Sequence, residues 1–337
     1  GNLMTKALLI YNPHGGQVVV RHELEAVVAF LEHNEWEVTT QETTKPKEAT
    51  EIARFAVEKG AEVVIAAGGD GTVSEVASGL IDTPAVLGVL PSGTTNSWAI
   101  QMGIPALSPL LPSTNLAKLV ADIEERTEIQ VPVNYYRKVL LDAAKVLTEK
   151  NIVSVDMGDV SGRKCLMWAG IGLDAAILES VPPKEKAALG SWAYWITALG
   201  AMGKRCSTDV RFRLDGVTTV INTPLIVVSN IQLYGGVMAI GAKAQVNDGK
   251  LDVCIFKGDG FFTFVQHALN IFSGLHLTDP KTEYYQCREI TIESDCPLPV
   301  QVDGEPFTHT PVTIRVLPAA LKTIVPKNVP GDLFGRN

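Results

Sequence analysis

At 337 residues, with 46% hydrophobic and 20% charged side chains, the chain is an ordinary globular sequence long enough for two cored domains, and disorder, collagen-like repeats and long coiled coils are excluded. Its 29 basic and 37 acidic residues leave a net charge of −8 with no basic run. That excludes nucleic acid as a favoured partner, because phosphate neutralisation supplies most of such affinity.

The first 100 residues alternate strand and helix. Ala7–Tyr11 is a short apolar run ending in Asn12-Pro13-His14-Gly15-Gly16, a strand followed by a turn. Leu24, Val27, Val28 and Leu31 then recur at helical spacing. Val38–Thr40 reads as a second strand, and Pro46 opens a helix with Ile52, Phe55 and Ala56 on its buried face, closed by Gly60. Glu62–Ala67 is a strand running into Gly68-Gly69. Beyond it Val73, Val76, Ala77 and Leu80 make another helical stripe, and Ala85–Leu90 returns as a strand. Apolar strands separated by helices predict an α/β domain whose parallel sheet is covered on both faces.

After Pro91, residues 105–116 are apolar and proline-rich, with helices predicted over 117–126 and Lys138–Lys150. From Val153 the texture becomes short strands: Val153–Val160, Lys164–Trp168, Asp209–Leu214, Leu225–Ser229, Leu251–Phe256, Glu289–Glu293, Val300–Val302 and Val312–Val316, interrupted by a helix over Lys184–Met202. This predicts an all-β second domain of two stacked sheets. The expected domains are 1–150, completed by the tail 318–337, and 151–317.

Two uncharged stretches, Thr83–Ala117 and Thr219–Ala242, raise the question of membrane spans. Prolines break the first; Pro224, Asn222, Asn230 and Gly235-Gly236 break the second. Neither offers about 20 unbroken helical residues, so no span is expected and the chain reads as soluble. Five cysteines without a CxxC spacing read as reduced thiols of a cytoplasmic protein.

Chemistry concentrates at the strand ends. Gly68-Gly69-Asp70-Gly71-Thr72 lies between a buried strand and a helix. Its glycines admit close approach of a ligand to backbone amides, and the helix that follows aims free amides and its positive end at the same spot. That suits phosphate, and Asp70 is placed to bond a ribose or organise a metal-bound water. Asn12–Gly16 and Pro91-Ser92-Gly93-Thr94-Thr95-Asn96 follow neighbouring strands at the same sheet edge, where α/β sheets bind ligands. The late turn Asp303-Gly304-Glu305 holds two carboxylates at i and i+2. On extended chain these face one side and meet one reacting group, as a base beside a hydroxyl in phosphoryl transfer requires. Its alternative is an ordinary Asp-Gly hairpin turn with exposed charges.

Together, Asn12–Gly16, Gly68–Thr72, Pro91–Asn96, Lys186–Tyr194, Asn230 with Gly235-Gly236, Asp248–Asp252 and Asp303–Glu305 resemble the diacylglycerol kinase catalytic family in its bacterial lipid-kinase branch. That branch is related to sphingosine kinases and, more distantly, to NAD kinases. The resemblance implies an ATP-binding domain, a β-sandwich domain and a lipid hydroxyl as acceptor. It implies ATP contacts at Asn12, Pro13, His14, Gly15, Gly16, Thr43, Gly68, Gly69, Asp70, Gly71, Thr72, Val73, Ser74 and Thr94. Glu305 is the implied general base, supported by Asp303. A structural Mg²⁺ is implied at Asp248, with the backbone carbonyls of Gln245 and Lys250, a donor set that suits a hard cation. Without the family, Asn247-Asp248-Gly249 is simply a hairpin turn.

Ser97 stands where bacterial relatives usually carry Asp, Gln17 where some carry a phosphate-binding Lys, and about thirty extra residues occupy 106–136. The competing readings are a NAD kinase and a nucleotide- or lipid-binding module that has lost catalysis. A role in lipid metabolism places the chain at a membrane surface, peripherally, and family members are often dimers. The expected membrane contacts are the uncharged helix carrying Leu189, Trp192, Tyr194, Trp195 and Leu199, and the apolar insert residues Leu107, Leu110 and Leu111.

Overall fold

The computed structural model describes residues 4–13, 20–107, 133–173, 175–176, 208–236, 238–258, 261–329 and 332–335. Outside them lie His14, Gly15, Gly16 and Gln17, most of the insert, Cys206, and the expected helix with Leu189, Trp192, Tyr194, Trp195 and Leu199. Among the described residues the chain forms two compact units. One runs to Val153 and includes Thr323–Val329; the other begins at Ser154, runs to Lys322 and takes up the tail beyond Val329.

The first unit alternates strand and helix as the hydrophobic period predicts, with the short α4 additional: β1 (Thr5–Tyr11), α1 (Val20–His33), β2 (Trp36–Glu42), α2 (Glu48–Glu58), β3 (Val63–Gly68), α3 (Asp70–Leu80), β4 (Val86–Pro91), α4 (Ser97–Met102) and α5 (Val133–Glu149). The strands run parallel in the order β2-β1-β3-β4. Every residue of β3 and β4 is buried, as expected when helices cover both faces. One expectation fails on α2, where Phe55 is 57% exposed. Ala49, Ile52, Ala53 and Ala56 take the inner face, because α2 and α3 approach too closely for an aromatic ring. A Cβ added at Gly79 on α3 would stand 2.5 Å from the Thr50 carbonyl oxygen and 2.8 Å from Ala53 Cβ. The returning segment is held by Thr323 Oγ1, which donates to Leu87 O (3.2 Å), and by Val325 N, which donates to Asn151 O (3.0 Å).

The second unit is built from β5 (Ile152–Val160), β6 (Arg163–Cys165), β7 (Trp168–Gly172), β8 (Thr208–Leu214), β9 (Val217–Thr223), β10 (Leu225–Ser229), β11 (Leu251–Phe256), α6 (Phe261–Phe272), β12 (Thr282–Cys287), β13 (Glu289–Ser294), β14 (Pro299–Val302), β15 (Glu305–His309) and β16 (Val312–Ile324). One sheet runs β16-β13-β8-β9, with β5 on β16 and β6 on β5; the other runs β12-β11-β10-β7-β14-β15 and is antiparallel throughout. Phe212, Ile290 and Ile292 from the first meet Ile226, Val253, Ile255, Val300 and Val302 from the second in one core.

Several elements differ from the sequence expectation. Lys164–Trp168 is not one strand: it breaks at Leu166-Met167, whose amides turn to a buried carboxylate. β9, β12 and β15 and helix α6 are additional, and β16 continues eight residues past Val316. The tail also divides. Only Thr323–Val329 joins the first unit, while Leu333 O accepts from Val246 N (2.9 Å) in the second. Among the described residues no helix is long and apolar enough to cross a membrane, and Cys165, Cys254, Cys287 and Cys296 are free thiols.

Candidate functional site

Parallel strands bring the ends of β1, β2, β3 and β4 to one edge of the first sheet, and with them Asn12, Pro13, Thr43, Gly68–Ser74 and Thr94. Thr43 is fixed by its own N–H, donated to Tyr11 O (2.9 Å). Its neighbours Thr44 and Lys45 donate backbone N–H groups to Glu48 Oε2 at 2.6 and 3.3 Å, which opens α2. Glu75 on α3 accepts from Lys47 N (3.0 Å) and Ala49 N (3.3 Å), so the loops after β2 and β3 are tied together.

The loops after β3 and β4 touch. A Cβ built on Gly93 would lie 2.4 Å from Gly69 Cα, so Gly93 tolerates no side chain, and one built on Gly69 would press on Gly93 Cα at 3.2 Å. Above this bare contact begins α3, with Gly69 in extended conformation at its start and no side chain capping its first amides. The first N–H groups of a helix have no partner within it, and they form a floor suited to an anion. Val73 N–H is already spent on Gly69 O (3.1 Å), and Val73 and Ser74 are buried.

Asp70 binds protein groups here. Oδ2 accepts from Ser97 N (2.9 Å) and Oδ1 from Trp98 N (3.1 Å), which caps α4 and locks the two loops in register. The loop after β4 closes on Asn96, whose side chain accepts from Gly93 N (3.0 Å) and donates to Gly93 O (2.7 Å) and Leu107 O (3.2 Å). Tyr136 on α5 donates its hydroxyl to Ser92 O (3.4 Å), and burial pushes that phenol up to about 12. Thr94, at the tip, is exposed.

In the second unit the i, i+2 expectation is corrected. Asp303 and Gly304 both have positive φ (50° and 82°), so the segment is a tight turn between β14 and β15 and its two carboxylates diverge. Asp303 turns inward and is 8% exposed. Oδ2 accepts from Leu166 N (2.9 Å); Oδ1 accepts from Met167 N (2.8 Å), Trp168 N (3.1 Å) and the Cys165 thiol (3.5 Å). Burial and that carboxylate push the Cys165 thiol well up. Glu305 turns outward, half exposed, with Oε2 2.6 Å from Arg163 Nη2. Arg163 also donates to Pro306 O (3.4 Å) and stacks over the Phe307 ring (5.3 Å).

The turn Gln245–Lys250 gathers oxygen. Asp248 Oδ1 accepts from Lys250 N (3.0 Å), and Asp156 accepts from Gly249 N and Ala319 N, both at 2.7 Å. Asp252 accepts from Tyr284 Oη (2.8 Å) and Gln286 Nε2 (3.1 Å) through Oδ1, while Oδ2 is buried without a hydrogen-bond partner. Burial pushes all three carboxyls up, Asp252 to about 6, and the charge of Asp248 adds to the rise at the other two. Lys250 opposes the rise at Asp248 and Asp252, and carboxylate oxygens of this kind suit a hard divalent cation. Among the described residues no group of three or more His, Cys, Asp or Glu side chains is placed to hold a metal.

Sequence reasoning missed Arg163, Asp156 and the part played by Asp252. Arg163 meets Glu305 only because β6 and the β14–β15 hairpin share one sandwich, which no local spacing announces. Asp156 stood in the sequence as one of two acidic residues, with Asp159, in the strand Val153–Val160.

The family model for the diacylglycerol kinase catalytic domain matches residues 6–129, and that for the YegS C-terminal NAD kinase beta sandwich-like domain matches residues 168–325. The chain is 28% identical over 304 residues to a diacylglycerol kinase of Bacillus subtilis (strain 168), covering 90% of each. It is 25% identical over 327 residues to the diacylglycerol kinase of Staphylococcus carnosus (strain TM300), covering 96% of each. The crystal structure of a diacylglycerol kinase from Bacillus anthracis str. Sterne has a TM-score of 0.74 at 24% identity over 97% of this chain and 99% of that one, a likeness of fold.

Proposed function

The chain belongs to the diacylglycerol kinase catalytic domain family, and on that premise we propose that it is a lipid kinase, moving the terminal phosphoryl group of ATP to a hydroxyl of a diacylglycerol-like acceptor. The observation that carries the phosphate-binding part is the side-chain-free contact of Gly69 with Gly93 beneath the uncapped start of α3. Only hydrogens intrude there, so phosphate oxygens reach the amides of Asp70, Gly71 and Thr72. Asp70 acts through geometry: by capping α4 it fixes the Gly93–Asn96 loop that forms the other wall. Asn12, Thr43 and Thr94 border the same edge.

Glu305 is assigned as the general base. As the new O–P bond forms and the bond to the departing diphosphate breaks, the acceptor's hydroxyl proton passes to the Glu305 carboxylate. Arg163 occupies Oε2, which leaves Oε1 for that proton. Asp303 is the anchor, since its amide bonds to Leu166, Met167 and Trp168 set the turn from which Glu305 projects. A divalent cation, when bound, supplies charge neutralisation; the residues that would hold a structural one are Asp248, Gln245 and Lys250.

The test is incubation with ATP labelled in its terminal phosphate and separate panels of diacylglycerol, monoacylglycerol, sphingoid base, phosphatidylglycerol and NAD. A labelled lipid supports the reading. Label on NAD alone, or on nothing, overturns it.

A further inference from the structure

Asn230 follows the last residue of β10 and carries none of the roles assigned above. Its side chain is buried. Nδ2 donates to two backbone carbonyls, Asp156 O at 2.8 Å and Leu166 O at 2.9 Å, and the backbone N–H donates to Met167 O at 2.7 Å. Two carbonyl neighbours fix which end of the amide is nitrogen. The other end, Oδ1, is buried without a hydrogen-bond partner. A buried acceptor without a donor is unfavourable, so packing alone gives no reason for an amide here, and what distinguishes this side chain is what it donates.

Two of those three bonds fall on the bend between β6 and β7. Leu166 C=O and Met167 N–H belong to one peptide group, and Met167 C=O and Trp168 N–H to the next. In a trans peptide the carbonyl and the N–H point in opposite directions. Asn230 holds both carbonyls, one through Nδ2 and one through its own N–H. Asp303 Oδ1 holds both amides, Met167 N at 2.8 Å and Trp168 N at 3.1 Å. The two peptide planes are therefore clamped from opposite sides, and neither can turn without breaking a bond to Asn230 or to Asp303. Asp303 N then donates to Trp168 O (2.9 Å), which closes the link from Asn230 to the turn that carries Glu305. The remaining hydrogen of Nδ2 ties the clamp to a fixed point. Asp156 is buried on β5, with its N–H on Val246 O (2.6 Å) and its carboxylate on Gly249 N and Ala319 N. All of these groups lie in the second unit.

We propose that Asn230 is a positioning residue for phosphoryl transfer: it aims the Met167 and Trp168 amides at Asp303 and so sets the turn from which the Glu305 carboxylate meets the acceptor. This role rests on Glu305 acting as the general base. Without the amide the bend is free to rotate, and a base held slightly out of place loses turnover steeply while the binding of ATP in the first unit is untouched.

The experiment is a double-mutant cycle on steady-state turnover of diacylglycerol in detergent micelles, with the parent, Asn230→Leu, Glu305→Gln and the pair. Leucine is close to asparagine in size and branching, donates nothing and carries no orphaned oxygen. Each protein is assayed below its own melting transition, and KM for ATP and for the acceptor is measured beside kcat. Asn230→Leu should lower kcat about tenfold or more with both KM values unchanged. In the Glu305→Gln background the same substitution should change kcat by less than about twofold, because the base it positions is gone. An Asn230 that only supports the fold would cost the same factor in both backgrounds, and that result overturns the proposal. So does an Asn230→Leu variant with the parent's kcat, or a loss confined to KM. If Asn230→Leu does not fold, Asn230→Ser, smaller and with one donor, replaces it in the cycle; failure of both to fold makes Asn230 a structural residue and overturns the proposal as well. Failure of the reading beneath it looks different. A parent that phosphorylates no lipid refutes the kinase, Glu305→Gln turning over like the parent refutes the base, and either takes the role of Asn230 with it.

Discussion

Asp303 accepts from three consecutive amides, a role that Asn cannot fill because its NH₂ group would face donors. We expect Asp303→Asn to destabilise the fold by about 3 kcal/mol in urea unfolding, from one orphaned amide and the loss of charge-assisted bonds. Unchanged stability would mean the turn does not depend on that carboxylate. His276 gives a pH dependence. With Nε2–H on Ile240 O, its Nδ1 is buried without a partner, and burial lowers its proton affinity below the usual imidazole range. The unfolded chain therefore takes up a proton near pH 6.5 that the fold resists, so this contribution is full above that pH and is lost as pH falls below it. Between pH 7.5 and 5.5 the parent should lose more stability than His276→Gln. Equal losses would contradict the burial. At this scale the sequence showed the acidic pair 303 and 305 but not how its members face: positive φ at Asp303 and Gly304 sends one carboxylate inward and the other out.

Apart from the six-residue α4, strands and helices of the first unit were legible because each is long enough to show its period, and β3 and β4 are continuous apolar runs. The elements overlooked share a cause. β9 (VTTVINT) and β12 (TEYYQC) lie at sheet ends, and in both the buried residues are too few to give an alternation. α6 was overlooked because its apolar residues occur on both faces. Coupling between elements supplies a further prediction. Asp70→Ala removes both acceptors from the start of α4, costing about 1–2 kcal/mol of stability and weakening ATP binding through the displaced Gly93 loop. Gly93→Val should weaken ATP binding by forcing the loops apart, its Cβ starting 2.4 Å from Gly69 Cα. Titration calorimetry giving the parent's ATP affinity for both variants would refute the phosphate-loop assignment.

Two units were expected from length and from the change of texture near residue 150, and the chain passes between them at Val153 and again at Lys322. The second passage was harder to place, because β16 is a single strand from Val312 to Ile324 whose last residues belong to the other unit. Hydrophobic period cannot mark a boundary inside one strand. The proposed division of labour follows the units: the loops assigned to phosphate lie in the first, and the Asp303-anchored turn that carries Glu305 lies in the second. The central claim is that Glu305 takes the acceptor's proton, and steady-state turnover of diacylglycerol in detergent micelles by the parent and by Glu305→Gln tests it most directly. Turnover should fall about 10²–10⁴-fold, with ATP affinity and thermal stability unchanged. A Glu305→Gln variant that turns over like the parent would contradict it.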